Sequence, residues 1–579
     1  MWVVEQKYTI ICTFEGLIQP PVPTSRLALF WIMLALLLGI NLWQASVTEL
    51  IYDEAYYWYF SQQPAWGYFD HPPMMAWMIA LGQLFFSGTL GVRIAGILLS
   101  TATYLLVWDM ISGVKKNHYI PEFFLWMFSM TLLNAYGFLT LPDTPLLFFS
   151  ALFLWSVKRL IKKPTWTYAL ITGTAMAAMM YSKYHAVLVI IGVVIGYWPL
   201  VRMTKAWVAV LWALLLYTPH LYWLYTHDFV SVAYHLSERP NQPYRFEAFT
   251  LGYLVNIIAQ FGFTLPWVIY AWYKAPKGRF STVLKSLVFF VLAFFFVSSF
   301  TKRIQTQWIV VIAIPTAVLV WELYLRDKKI RRPLMWSATI TALVLIYARI
   351  GLVHESLLPI RYETHGNQVW TSRLQAEVGD SPVVFLDSYR NAPMYAFYQG
   401  GHSYSLNTMG YRKNQYSIDN SYERIQGKKI ALIGPKSHVY WQQNKAQFSF
   451  EKAVGDTYFG TWIEEFSYYD QIKAKITQVH GDQVRLELTH QDPHALKGQQ
   501  IYLSFGVLDD HKRLQRQIPW PLEPQAIPDS WNPQDTLRLQ MIWPKAVSKN
   551  IPGVRVGVGS FSLPAGLQGA PQKTAEWNP

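Results

Sequence analysis

The first 350 residues of this 579-residue chain break into eleven apolar stretches of roughly 18–22 residues. They lie near 26–46, 90–111, 120–140, 145–161, 165–182, 184–201, 206–224, 251–273, 281–300, 307–325 and 333–353. A helix of that length crosses a hydrocarbon core of about 30 Å. Lipid offers the backbone no hydrogen-bond partner, so segments of this kind cross as helices that satisfy their own peptide groups. An α-helical polytopic membrane protein follows. Charged residues make up only 15% of the chain, against about 25% in an ordinary soluble domain. A uniform globule is excluded, and so are disorder and, with one cysteine, a disulfide scaffold.

The charge is uneven. Residues 1–350 hold 26 Lys+Arg against 14 Asp+Glu, whereas the rest hold 23 against 21. A basic protein invites a nucleic-acid partner, but these residues sit between apolar runs, which points to topology and to no nucleic acid. Sixteen of them, including Lys115, Lys116, Lys158, Arg159, Arg326 and Arg331, fall in alternate connectors. The other connectors hold Lys183, Arg239, Arg245, Lys302 and Arg303. The positive-inside rule places the sixteen, and the N-terminal segment 1–25 with Cys12, in the cytoplasm. An odd number of spans then leaves the C-terminal region outside. No small-residue cleavage site follows the first span, so it reads as a retained anchor.

The expected organisation is a transmembrane domain over 26–353, with an outer loop at 47–89, and two exported parts. Residues 354–468 read as α/β: short buried strands at 383–386 and 429–433 flank a helix over Asn391 to Gln399. Residues 469–565 alternate, as in Val484, Leu486 and Leu488, and read as a β-rich module. Residues 566–579 read as a flexible tail.

Acidic residues beside a bilayer are costly and therefore informative. The outer loop carries Asp53-Glu54 inside an aromatic segment suited to an interfacial helix, and further on Asp70-His71-Pro72-Pro73. Asp53 is a general-base candidate, with helix capping as the plainer alternative. Asp143, between Pro142 and the Thr144-Pro145 pair, is a third acid for the same outer cavity, or a cap. Lys183, Lys302 and Arg303 lie where the topology rule disfavours cations. They are either headgroup anchors or a phosphate subsite. Carboxylates beside phosphate-compatible cations, close to lipid, suit transfer of a group from a membrane-anchored phosphate.

These motifs resemble those of the polytopic lipid-linked-sugar glycosyltransferases, which include the protein O-mannosyltransferases and the bacterial aminoarabinose transferases of lipid A. The resemblance rests on Asp53-Glu54, Asp70-His71-Pro72-Pro73, Pro142-Asp143-Thr144-Pro145-Leu146 and Tyr181-Ser182-Lys183-Tyr184, with Ser388 to Tyr395 and Ser405-Leu406-Asn407 later. It implies a GT-C fold in a bacterial inner membrane and inverting transfer from a polyprenyl-phosphate sugar to a glycan, lipid or protein acceptor on the outer face. It also implies Asp53 as base with Glu54 beside it, Asp143 as a second acid, and Asp70, His71, Lys183, Tyr184, Lys302 and Arg303 around the substrates. Some relatives use a divalent metal near this loop, and Asp70 with His71 is the pair that would serve it; a tetrahedral site needs more ligands. The chain shows no Gly-rich phosphate loop after a strand.

Two other classes are weighed against transfer. A transporter or flippase would show inverted repeats and charges in mid-span, whereas these charges lie at span ends. A sensor would bind glycans through the exported tyrosines Tyr389, Tyr395, Tyr398, Tyr404 and Tyr411, residues that more often simply pack.

Overall fold

The computed structural model describes residues 24–113, 115–238, 242–468, 472–490, 501–520, 528, 531–532, 535–545, 551–560 and 563–573. Residues 1–23, with Cys12, and Arg239 lie outside that set, as do 574–579 of the expected tail.

Eight helices among the described residues are long and apolar enough to cross a membrane: 25–47, 88–110, 143–162, 204–226, 247–274, 279–298, 306–326 and 328–353. The other three of the eleven expected stretches are present but shorter. The 120–140 stretch breaks into Ile120–Phe128 and Thr131–Ala135, and the next two form Trp166–Ser182 and Ala186–Gly196. Eight of the eleven expected stretches thus form a single helix of full spanning length, and the other three form shorter helices. Hydropathy marks where a segment is apolar but not where Ser129 and Met130 interrupt its helix.

Two of the long helices carry their charges at opposite ends. Gly88–Met110 has Arg93 near its start and Asp109 near its end; Asp143–Lys162 has Asp143 first and Lys158 and Arg159 last. At 1.5 Å per residue these 23- and 20-residue helices separate the ends by about 30 Å. At one end, Arg159 pairs with Asp109 and Lys158 Nζ donates to the Met110 carbonyl. At the other, Arg93 meets Glu54 and Asp143 meets Lys183. The basic connectors and the outer acids thus occupy different ends of the bundle.

The C-terminal part begins with a five-stranded sheet of β1 (Val383–Leu386), β2 (Ser403–Leu406), β3 (Ile430–Pro435), β4 (Phe448–Ala453) and β5 (Asp456–Ile463), in the order β2-β1-β3-β5-β4. β1 runs parallel to both neighbours, Val383 opposite Ser403 and Ala431, while β5 is antiparallel to β3 and β4. The helix Asn391–Gln399 joins β1 to β2. In such sheets the carboxyl ends of the parallel strands carry function, and here the end of β1 delivers Asp387, Ser388, Tyr389 and Arg390 to the membrane domain. Asp387, at φ 50°, fixes that turn by accepting from Thr408 N, Thr408 Oγ1 and His438 Nε2.

Beyond it, β6 (Lys473–His480), β7 (Gln483–Thr489), β8 (Ile501–Leu508), β9 (Leu514–Trp520), β10 (Leu537–Ile542), β11 (Gly553–Ser560) and β12 (Gln572–Lys573) form two antiparallel sheets, β10-β7-β6 and β12-β11-β8-β9. The expected tail is corrected over 566–573. Gly566 bridges Thr408, and β12 pairs with β11 at Gly553 and Val554, so backbone pairing holds a segment whose Pro/Gly-rich composition reads as loose.

The two halves of the molecule share a core. Leu50, Tyr56, Phe60, Tyr68 and Met75 of the outer loop are buried in one cluster with Trp370, Phe385, Met394, Tyr416 and Ile433. The five-stranded sheet is packed onto the bundle, and the loop 47–89 is their common layer.

Candidate active site

The outer loop folds as two helices, Tyr52–Ser61 and Met74–Gln83. Glu54 and Arg93 set the first in place. Both side chains are fully buried; Arg93 Nη2 and Nε donate to Glu54 Oε2 and Oε1 at 2.6 and 2.8 Å. Glu54 also accepts from Thr140 N at 2.9 Å and from Ile51 N at 3.2 Å, the latter satisfying a free donor at the start of its helix. Arg93 donates further to the carbonyls of Ala45, Thr48 and Glu49, which end the first span. Glu54 therefore has its oxygens taken up inside the protein. The sequence groups it with Asp53 as a catalytic acid, but its contacts are those of a tie-bar.

Asp53 differs. It is half-buried, and among the described residues its carboxylate makes no hydrogen bond or ion pair. Burial lifts its pKa above the usual carboxylate range, opposed by Arg390 and Arg412 and reinforced by Glu363 and Asp70. Arg390 pairs with Glu363 and lies over the Tyr52 ring at 4.8 Å.

Asp70 and Asp143 both have partners. Asp70 is bound by Arg412 and accepts from Tyr56 Oη at 3.2 Å. Asp143 holds Lys183 Nζ through both oxygens at 2.8 and 2.9 Å, both residues being buried. Asp143 and Lys183, expected from sequence as a second acid and a substrate-side cation, are thus each other's partners. The three carboxylates do converge: Asp53, Asp70 and Asp143 all act on the buried Tyr57 hydroxyl, which burial above all pushes up.

His71 is neutral. Burial takes its pKa down to about 3, with Lys183 adding to that effect and Asp70 opposing it. Burial thus favours the uncharged ring at 71 over a cationic one. The residues do not fit a metal either. The Asp70 oxygens serve Arg412 and Tyr56, and the described residues contain no group of three or more His, Cys, Asp or Glu placed to hold an ion.

Tyr184 is a positioning group by its contacts. His220 Nδ1 donates to the Trp66 carbonyl at 2.7 Å, so its Nε2 accepts from Tyr184 Oη at 3.1 Å. Lys302 and Arg303, beyond the Arg279–Ser298 helix, are exposed and make no ion pair among the described residues. Lys302 and Lys183 both act on His185, which places Lys302 at the same end of the bundle.

Sequence reasoning missed the arginines of the C-terminal part. Arg412 lies 342 positions from Asp70, and its guanidinium covers the Tyr389 ring at 4.6 Å. Tyr389 in turn packs on Tyr56 at 4.7 Å. No local pattern announces Arg412. Arg93 was legible: an arginine a few residues into an apolar span is itself a signal. Of the C-terminal tyrosines, Tyr395 and Tyr404 are each 1% exposed and serve the core.

Residues 70–223 match the family model of the dolichyl-phosphate-mannose-protein mannosyltransferases. The lipid A galacturonosyltransferase RgtD of Rhizobium johnstonii is 29% identical over 363 residues, covering 56% of this chain and 72% of RgtD. ArnT from Cupriavidus metallidurans, solved in the apo state, superposes with a TM-score of 0.55 at 12% identity, covering 76% of this chain and 98% of ArnT. The chain has the GT-C fold, and the family model and the relative that it matches are those of glycosyltransferases. ArnT bound to undecaprenyl phosphate gives a TM-score of 0.53 over the same shares. The family match runs from Asp70 through Asp143, Lys183 and His220. Arg390 and Arg412 come from beyond it.

Proposed function

We propose that this glycosyltransferase moves a sugar from a polyprenyl-phosphate donor to a hydroxyl of an envelope acceptor on the outer face of a bacterial inner membrane. The observation that carries the reading is Asp53: the one carboxylate of the outer-loop acids without a partner, beside arginines that favour its charged form. Asp53 accepts the proton of the acceptor hydroxyl as that oxygen attacks the anomeric carbon. The bond from that carbon to the phosphate oxygen breaks, and the polyprenyl phosphate leaves with inversion and with no covalent sugar–enzyme intermediate. Lys302 and Arg303, which lack partners, supply the charge facing the leaving phosphate. Arg390 and Arg412 orient the acids. The Asp143–Lys183 pair and the Tyr184–His220 pair hold the floor of the site, and His71 contributes a neutral ring.

ArnT binding undecaprenyl phosphate and RgtD acting on lipid A make that carrier and that acceptor the first to test. Purified protein given an undecaprenyl-phosphate sugar and lipid A should consume donor and add one sugar mass to lipid A. Movement of donor across the bilayer without consumption would favour a flippase instead.

A further inference from the structure

A cavity lies against the loop 47–89, and the transfer chemistry does not use it. It encloses about 490 Å³ between the end of the Tyr52–Ser61 helix, the end of Thr204–Thr226 and the exported domain, and Asp53 does not line it. Two indoles contribute to its wall. Trp223 is fixed: a Cβ at Gly67 would come within 2.3 Å of its ring, and His227 stacks on it at 4.2 Å. Trp58 is half-buried and held edge-on by Phe397 at 5.2 Å.

The polar lining comes from Gln62, His402, Asp419, Ser421 and Arg424. Asp419 accepts from Tyr59 Oη at 2.5 Å and from Ser421 N at 3.0 Å, which leaves lone pairs open. The Ser421 hydroxyl lies against Asp419 and adds a further polar group to the wall. Arg424 is exposed and makes no ion pair among the described residues. One carboxylate against one guanidinium gives no surplus positive charge for a phosphate. Aromatic faces with a ring of donors and acceptors suit the apolar face and hydroxyls of an uncharged sugar.

The cavity also communicates with the site. Gln415 lines it; Gln415 N donates to Tyr56 Oη at 2.8 Å, and Tyr56 Oη donates to Asp70 at 3.2 Å. An occupant would sit one layer of rings from the Asp70–Arg412 pair.

We infer that this cavity is a saccharide subsite for a neutral sugar unit of the acceptor, remote from the hydroxyl that attacks. Its assignment to the acceptor rests on the transfer reaction proposed above; saccharide binding itself does not.

The test uses the full chain in nanodiscs, titrated with maltotriose, N,N′-diacetylchitobiose and lactose and read by tryptophan fluorescence. At least one sugar should quench saturably in the wild type and in Asp53→Asn. The exposed-residue variants Arg424→Ala and Gln62→Ala should weaken that binding at least tenfold together while thermal stability is kept, and should raise the KM for acceptor with kcat and donor KM unchanged. Saturable quenching by none of the sugars, or unchanged affinity in the variants, overturns the subsite. Displacement of the sugar by the donor lipid overturns its assignment to the acceptor. Full transfer by Asp53→Asn, with sugar binding still lost in the cavity variants, would defeat the Asp53 mechanism and leave the subsite standing.

Discussion

Asp53 and Glu54 are neighbours in sequence with opposite fates. Glu54 is stabilised by a buried arginine and two backbone donors, whereas Asp53 is left without a partner and partly desolvated. A raised pKa has a kinetic sign. A base must be ionised, so kcat/KM should fall as pH drops through the Asp53 pKa, and that acid limb should lie above the ~3.9 of a solvated aspartate. Arg390 opposes the rise; Arg390→Ala removes it and leaves the Glu363 charge unpaired, so both effects move the limb further up. A pH–rate profile of the two proteins checks the sign, and a downward shift would refute it. Arg93→Ala has another consequence. It strands a fully buried carboxylate, which typically costs about 3–5 kcal/mol, and it uncaps the first span. Thermal unfolding should register a large loss where Arg303→Ala shows none.

At the scale of elements, the Tyr52–Ser61 helix is the contact layer between the bundle and the C-terminal part. Its Tyr56 hydroxyl is shared by Asp70 and Gln415, and Arg412 reaches across to Asp70. Asp70→Asn and Arg412→Ala should therefore be non-additive. The double variant should lose about 0.5–3 kcal/mol less transition-state stabilisation than the two single losses together, as read from kcat/KM. Strict additivity would mean that the two residues act separately. The helix Asn391–Gln399 forms where periodicity placed it, because its apolar residues lie between strands that are continuous apolar runs. Arg412 follows no such pattern. A side chain whose role is set by a contact across 342 positions leaves no trace in its own neighbourhood. Lys183 is an intermediate case. The sequence shows a cation out of place, but only the packing of two helices shows that its partner is Asp143.

Over the whole molecule, what hydropathy reports was legible: where the apolar stretches lie, which connectors are basic, and that strands follow helices after about residue 355. The packing of the five-stranded sheet on the loop 47–89 was not, since burial of Leu50, Tyr56 and Tyr68 against Phe385 and Ile433 depends on contacts that no window of sequence contains. That shared core predicts that a chain ending at 354 inserts but does not work. Its outer loop, stripped of its cover, should become sensitive to protease, and transfer should be lost. Sidedness is tested in spheroplasts of a Cys12→Ser background. An impermeant maleimide should label Lys302→Cys directly and Lys115→Cys only after permeabilisation.

The central claim is that an unpartnered carboxylate takes the proton from the acceptor. It is tested by measuring single-turnover sugar transfer by Asp53→Asn in nanodiscs, with an undecaprenyl-phosphate donor and lipid A. A loss of about 10²–10⁴-fold in rate, the range for general base catalysis, with donor binding retained is the expected result. Turnover near that of the wild type would contradict it.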